Sequence, residues 1–204
     1  MAMNLLGDLR RTGVRSAGWL LAQVLGAANR RGLMHWPFLT EALSLVPFTV
    51  GWQLRQDVYR RLGGGCGEGT MIHHGVTVED QRTSFGADVW VSSKCYIDYA
   101  HIEDHVLIGP GAVLLAGRHH HRTDRTDVPI KSQGNHEKAP IRIGMGAWVG
   151  ANATVMADVG RHAIVGAGAV VVDAVPDYAI AVGNPARVIS DRRQGNERVV
   201  GGEG

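Results

Sequence analysis

Cysteine is nearly absent from this chain. Cys66 and Cys95 are its only two, too few for a disulfide framework, so the core has to hold the fold and a reducing cytoplasm is the expected setting. Long apolar runs are missing as well. Residues 17–28 fall short of the length a bilayer demands, and residues 38–54 are interrupted by Glu41 and Pro47. No sign of charge dominates: the net charge of +2 selects neither for nor against an anionic partner, and no nucleic-acid partner is expected. What remains is a chain of 204 residues, 45% hydrophobic, enough for one packed domain with an appended segment.

Glycine, by contrast, is abundant at 28 residues, and its placement follows a repeat. From Ile143 onward an aliphatic residue recurs every six positions, at Ile143, Val149 and Val155 and again at Val165 and Val171. A small residue follows most of these four positions later, as Ala147, Ala153, Val159, Ala169 or Val175. A period of six suits neither a helix nor a free-standing strand. It fits a short strand plus a corner, three of which close one triangular coil, with coils stacking about 4.8 Å apart. Glycine serves the corners, where positive φ is often needed.

Upstream, the same period recovers Ile72, Val78, Phe85, Val91, Ile97, Ile102, Ile108 and Leu114 as inward residues, with small partners at Val76, Val89, Cys95, Val106 and Ala112. One residue is inserted before Phe85 and one deleted before Ile102, while Val155 to Val165 spans ten residues where two hexads need twelve. These read as altered corners. The expected architecture is an all-β core, a parallel β-helix, over residues 66–189, behind an N-terminal helical segment over residues 1–65. Residues 190–204, polar and glycine-rich, read as a flexible tail.

The N-terminal segment lacks hexads. Its basic residues Arg10, Arg11, Arg15, Arg30, Arg31, Arg55, Arg60 and Arg61 outnumber Asp8, Glu41 and Asp57. Amphipathic helices there either cap one end of the prism, blunting its open coil, or rest on an anionic membrane surface. The second reading would place the protein at the inner face of the membrane. The Arg10–Arg11 pair lacks the flanks of a twin-arginine export signal.

The repeat breaks between Leu114 and Ile143. This loop, protruding over residues 118–140, carries His119, His120, His121, Asp124, His136 and Glu137 and is too polar to continue the core. A loop of this kind could reach a neighbouring subunit and wall an interfacial cleft. Histidine is the side chain best matched to taking a proton from a hydroxyl near neutral pH. His119 sits where the sheet ends and the loop leaves. His120 and His121 are less determined, and the run also reads as a solvated surface feature.

With GRHHH, GAWVGANATVMADVG and VGAGAVVVDAVPDYAIAVGNPARVI in view, the sequence resembles the hexapeptide-repeat acyltransferases. It is most similar to bacterial O-acetyltransferases of sugars found with exopolysaccharide and lipopolysaccharide biosynthesis, with maltose and galactoside O-acetyltransferases as relatives. The resemblance implies a left-handed β-helix assembled as a homotrimer with active sites between subunits. It also implies direct transfer from acetyl-CoA to a hydroxyl of a small molecule or glycan, with no metal.

Residue by residue, the resemblance carries the catalytic histidine to His119, in Gly-Arg-His where relatives have Gly-Ser-His, with His120 as the fallback. Glu137 and Asp124 are candidates to orient the imidazole. Asp98 falls near where relatives contact the acceptor, and equally reads as a corner cap. The position of an acceptor-contacting Asn in the galactoside enzymes is taken by Val91 or Ser92. Trp148 matches a Trp beside the pantetheine, and Gly150, Ala151, Gly166 and Ala167 match small residues along it. Asn184, Pro185 and Arg187 match the terminal loop near the nucleotide. Asp173 stands where many relatives have Lys, a contact either absent or replaced by Arg192 or Arg193.

Other readings compete. A γ-type carbonic anhydrase shares this kind of helix but needs three histidines on a metal, and His101 and His105 are four apart rather than at that family's five-residue separation. A non-catalytic β-helix scaffold on a membrane would bind no coenzyme.

Overall fold

A computed structural model describes residues 23–24, 27–28, 35–116 and 120–194. Helix α1 (Trp36–Ser44) and helix α2 (Phe48–Leu62) precede strands β1 to β15, nearly all of them two or three residues long. Strands this brief follow from the hexad. One residue points out, its aliphatic successor points in, and the next turns a corner.

The strands form three faces of a prism. Face one stacks β1 (Met71–Ile72), β4 (Trp90–Val91), β7 (Leu107–Ile108), β10 (Trp148–Val149), β12 (Ile164–Val165) and β14 (Ala179–Val182), all parallel, and ends in β15 (Arg187–Asp191), which pairs antiparallel. Face two stacks β2 (Thr77–Val78), β5 (Tyr96–Ile97), β8 (Val113–Leu114), β11 (Thr154–Val155) and β13 (Val170–Val171). Face three holds β3 (Ser84–Phe85), β6 (Ala100–Ile102) and β9 (Ile141–Ile143), extended by single bridges from Cys66 to Phe85, Ile143 to Val159 and Val159 to Val175. Every aliphatic expected inside is there: Ile72 through Val171 are each no more than 4% exposed, and the small partners lie among them.

The altered hexads share one place. From face one to face two the inward residues always step by six, as Ile72 to Val78 or Val149 to Val155, and so they do from face three to face one, as Ile102 to Ile108 or Val159 to Val165. From face two to face three they never do: Val78 to Phe85 is seven, Ile97 to Ile102 five, and Val155 to Val159 four, and the long loop opens between Leu114 and Ile143. All length variation sits on the two-to-three edge.

Glycine at the corners has two causes. Some corners need positive φ, but Asp88, Lys94, His105, Asn152, His162 and Tyr178 also adopt it, so that requirement alone does not explain the composition. The other cause is coil spacing: a Cβ on Gly150 would lie 2.5 Å from the Ala167 nitrogen of the next coil.

The helices cap the first coil. Thr40 Oγ1 accepts from the Val78 N–H at 3.3 Å and lies 3.0 Å from its carbonyl oxygen, so the open strand end finds partners. Arg55, counted from the sequence among cations suited to a membrane, is instead 0% exposed. It donates to the carbonyls of Ile72, Leu43 and Val46 at 2.7 to 2.8 Å. Two of those carbonyls lie at the end of α1, where a cation is favourably placed. Arg60 donates to the Cys66 carbonyl at 2.9 Å. Arg10, Arg11, Arg15, Arg30 and Arg31 lie outside the described residues. No helix among the described residues is long and apolar enough to cross a membrane.

At the other end, β15 runs past Ile189 into the segment expected as a tail. A short 3-10 helix, Arg192–Gln194, follows it.

Candidate active site

The one-to-two edge stacks Ser92–Ser93–Lys94, Gly109–Pro110–Gly111, Gly150–Ala151–Asn152 and Gly166–Ala167–Gly168 in successive coils. Register explains the order. Trp148 pairs with Ile164 and Val149 with Val165, so Gly150 stands over Gly166 and Ala151 over Ala167. Four of the residues expected against the coenzyme thus form one column. Within it Gly150 is buried beneath its neighbour while Ala167 is exposed, so the alanine presents surface and the glycine permits the stack. Asn184 and Pro185, exposed in the turn after β14, end the same edge. Arg187 opens β15 beside them and donates to the Ala186 carbonyl at 2.9 Å.

Trp148 is 50% exposed on face one. It belongs to a ladder of outward apolar side chains in register, Met71, Trp90, Leu107, Trp148, Ile164 and Ile180. Face two is also largely uncharged outside, with Thr77, Tyr96, Val113, Thr154 and Val170. Face three presents Ser84, His101 and Arg142. The prism therefore has one polar face and two that carry apolar side chains. Sequence reading found Trp148 but not the ladder, because the outward residue of each strand is visible only once the coils are in register.

The loop leaves at the other edge of face two. His119 lies outside the described residues. His120 is half-buried, its carbonyl accepts from the His136 N–H at 2.8 Å, and its Nδ1 is enclosed without a partner among the described residues. Its ring lies 4.9 Å from that of His121, which meets Asn135 Oδ1 through Nδ1 at 2.8 Å. Asp124 and Glu137 are exposed. Backbone hydrogen bonding and the Arg122 guanidinium, at 3.4 Å, hold the Asp124 carboxyl below its usual range. Among the described residues no hydrogen bond joins Asp124 or Glu137 to His120 or His121.

Asp98 and Ser92, the two candidates for contact with the acceptor, are on different edges. Ser92 lies half-buried on the one-to-two edge, where its carbonyl accepts from Cys95 Sγ at 3.1 Å. Asp98 sits at the root of the loop. Only 7% exposed, it meets Lys138 Nζ at 2.6 Å and the Ala116 N–H at 3.2 Å. Lys138 carried no signal in the sequence, being one cation in a polar loop.

Arg192 donates to the His162 carbonyl at 2.8 Å, and Arg193, paired with Asp191 at 2.5 Å, lies over the Tyr178 ring at 4.9 Å. Both therefore lie against the three-to-one edge, so within one chain neither stands in for a cation at Asp173. His101 meets Ser84 Oγ at 2.9 Å and His105 meets Asp88 at 3.1 Å. Among the described residues no three His, Cys, Asp or Glu side chains are grouped to hold a metal.

Residues 140–173 match the family model described as the hexapeptide repeat of succinyl-transferase. A probable acetyltransferase of Mycobacterium tuberculosis is 45% identical over 75 residues, 36% of this chain and 25% of that protein. A putative acetyltransferase of Saccharomyces cerevisiae is 24% identical over 146 residues, 66% of this chain and 69% of the relative. The solved structure of a maltose O-acetyltransferase from Clostridium difficile shares the fold with a TM-score of 0.57 at 22% identity, over 75% of this chain and 82% of that one. Coils, repeat and relatives point the same way: the chain carries a hexapeptide repeat over residues 140–173 and is similar to acetyltransferases, one of which shares its fold. It spans only a quarter of the mycobacterial relative's length.

Proposed function

We propose that the chain is a CoA-dependent O-acyltransferase that moves an acetyl group from acetyl-CoA to a sugar hydroxyl, in polysaccharide or glycosylated-metabolite biosynthesis. The observation that carries this reading is the column of small residues on the one-to-two edge beside the exposed Trp148. A thin pantetheine arm needs such a strip, and a half-exposed Trp gives it an apolar wall.

The hand of the helix is taken as left, as the family resemblance implies. The assembly is taken as a homotrimer, supported by the two faces with apolar exteriors and the polar third. The column and the histidine loop stand on opposite edges of face two. Within one chain they face apart, so a neighbouring subunit's loop is what completes the cleft.

In the reaction, His119, or His120 beside it, takes the proton from the acceptor hydroxyl as its oxygen attacks the thioester carbonyl. Backbone N–H groups on an adjacent coil hold the oxyanion. Its collapse expels the CoA sulfur, which receives the proton back from the imidazole. Work of this kind belongs in the cytoplasm, where acetyl-CoA is at hand, with the basic N-terminal segment available for contact with the inner membrane face.

Calorimetric titration with coenzyme A, beside the mass in solution, tests the reading. One coenzyme per chain in a trimer is expected. A folded trimer that binds none would overturn the reading.

A further inference from the structure

Both limbs of the loop meet the prism at one carboxylate. Ala116, just before the loop, donates its N–H to Asp98 Oδ2 at 3.2 Å, and Lys138, near its return, places Nζ 2.6 Å from Asp98 Oδ1. The ion pair is largely withdrawn from water, with side-chain exposures of 21% for Lys138 and 10% for Asp98. Between these limbs the loop has a ladder of its own. The His136 N–H donates to the His120 carbonyl at 2.8 Å, the Arg122 N–H to the Gly134 carbonyl at 3.1 Å, and the Arg125 N–H to Gln133 Oε1 at 3.0 Å. Such a hairpin moves as a body, so its direction is set at its root.

We infer that Asp98 and Lys138 are positioning residues, a staple that closes the two limbs of the loop and fixes where His120 and His121 stand, and that Asp98 does not bind the acceptor. The inference rests on the acyltransferase reading above. The carboxylate has an ammonium on one oxygen and a backbone N–H on the other, which leaves it little to offer a sugar hydroxyl. Removing the ammonium strands a nearly buried negative charge, and that charge regains water most readily by opening the root. A general base displaced by about 1 Å can cost about a hundredfold in rate.

The test uses the full chain with Lys138→Met, Asp98→Asn, both together, and Lys138→Arg. Each of the first two is expected to lower kcat by about ten- to a hundredfold while the acceptor KM, coenzyme affinity and solution mass stay unchanged. The double variant should be no slower than either single one, because both break the same contact. Lys138→Arg, which keeps the ammonium's charge, should recover most of the rate.

Amide hydrogen exchange supplies a readout independent of turnover. In Lys138→Met, exchange across residues 120–136 should quicken while that of the prism strands does not. If Asp98→Asn raises the acceptor KM and Lys138→Met behaves as wild type, Asp98 touches the acceptor and the staple is wrong. Unchanged exchange in both variants also overturns it. Absence of transfer by the wild-type chain to every acceptor, with no coenzyme bound, would sink the acyltransferase reading instead, and exchange would still decide the staple.

Discussion

Arg55 Nε donates to the carbonyl of Ile72 at 2.7 Å, tying the second helix to the first strand of the prism. The same guanidinium serves Leu43 and Val46. Arg55→Leu removes a costly buried charge but leaves the Ile72 and Val46 carbonyls without this donor, while the Leu43 carbonyl keeps the Val46 N–H at 3.2 Å. A net loss of about 3 kcal/mol is expected, at ~1–3 kcal/mol for each orphaned group against the relief of desolvation. Arg55→Lys keeps the charge without the fork and should lose a similar amount. Urea unfolding reads this directly, and a wild-type midpoint in the Leu variant would show that the cap contributes nothing.

Gly150 and Gly168 should respond differently to alanine. At Gly150 the new Cβ would meet the Ala167 nitrogen at 2.5 Å, whereas at Gly168 nothing lies within 4 Å and only the φ of +68° resists. Overpacking against a backbone that cannot yield is expected to cost about 1–3 kcal/mol, the left-handed backbone about 1 kcal/mol. Thermal unfolding should therefore rank Gly168→Ala above Gly150→Ala. The reverse order would mean that coil spacing is not what selects glycine at this corner.

Burial pushes the Cys66 thiol up to about 12 and the Cys95 thiol up to about 11 from 9.0. In the unfolded chain both ionise near 9, while in the folded chain they hold their protons. Their contribution to stability is thus complete below pH 9 and is lost as pH rises from there through 11 and 12. Each thiol steepens the loss by up to about 1.4 kcal/mol per pH unit. Unfolding free energies measured between pH 8 and 11 should fall more steeply than in a Cys66→Ala, Cys95→Ala chain, and equal slopes would remove the thiols from the account. A thiol reagent at pH 8 should label neither cysteine until denaturant is added.

Leu107 stands mid-ladder on face one, 50% exposed. If subunits meet there, Leu107→Glu places a carboxylate against an apolar partner, and the solution mass should fall toward the 21.9 kDa of one chain. An unchanged assembly would show that face one stays outside the contact.

His119→Ala is expected to slow transfer by about two to four orders of magnitude while coenzyme affinity and mass are retained. Full turnover in that variant with loss in His120→Ala would move the general base by one residue.

The prism was legible because its signal is periodic: each of Ile72 to Val171 repeats the same demand, and no single position has to be read alone. The arrangement of the candidate residues was legible only where it follows the repeat. Gly150, Ala151, Gly166 and Ala167 fall into one column by counting, and Asn184 and Pro185 end it. Lys138 and Arg55 were not legible, since each owes its place to a contact with one distant residue and no pattern surrounds it. Arg55 even pointed the wrong way, its charge suggesting a surface while its geometry satisfies carbonyls inside. The corners held by Asp88, Lys94 and Tyr178 in positive φ were hidden for a related reason. The stacked coils on either side impose that conformation, and the residue's own preference does not announce it.

The two-to-three edge, where every hexad departs from six, acts as an expansion joint. A residue added at either other edge would turn all later side chains inside out, because there the count fixes which one faces the axis. On this edge the backbone absorbs four, five or seven residues, or a whole loop, and the next strand still docks in register. New surfaces can therefore be spliced in along one seam while the scaffold and the column of small residues keep their dimensions, so what the loops present can change independently of how the prism is built.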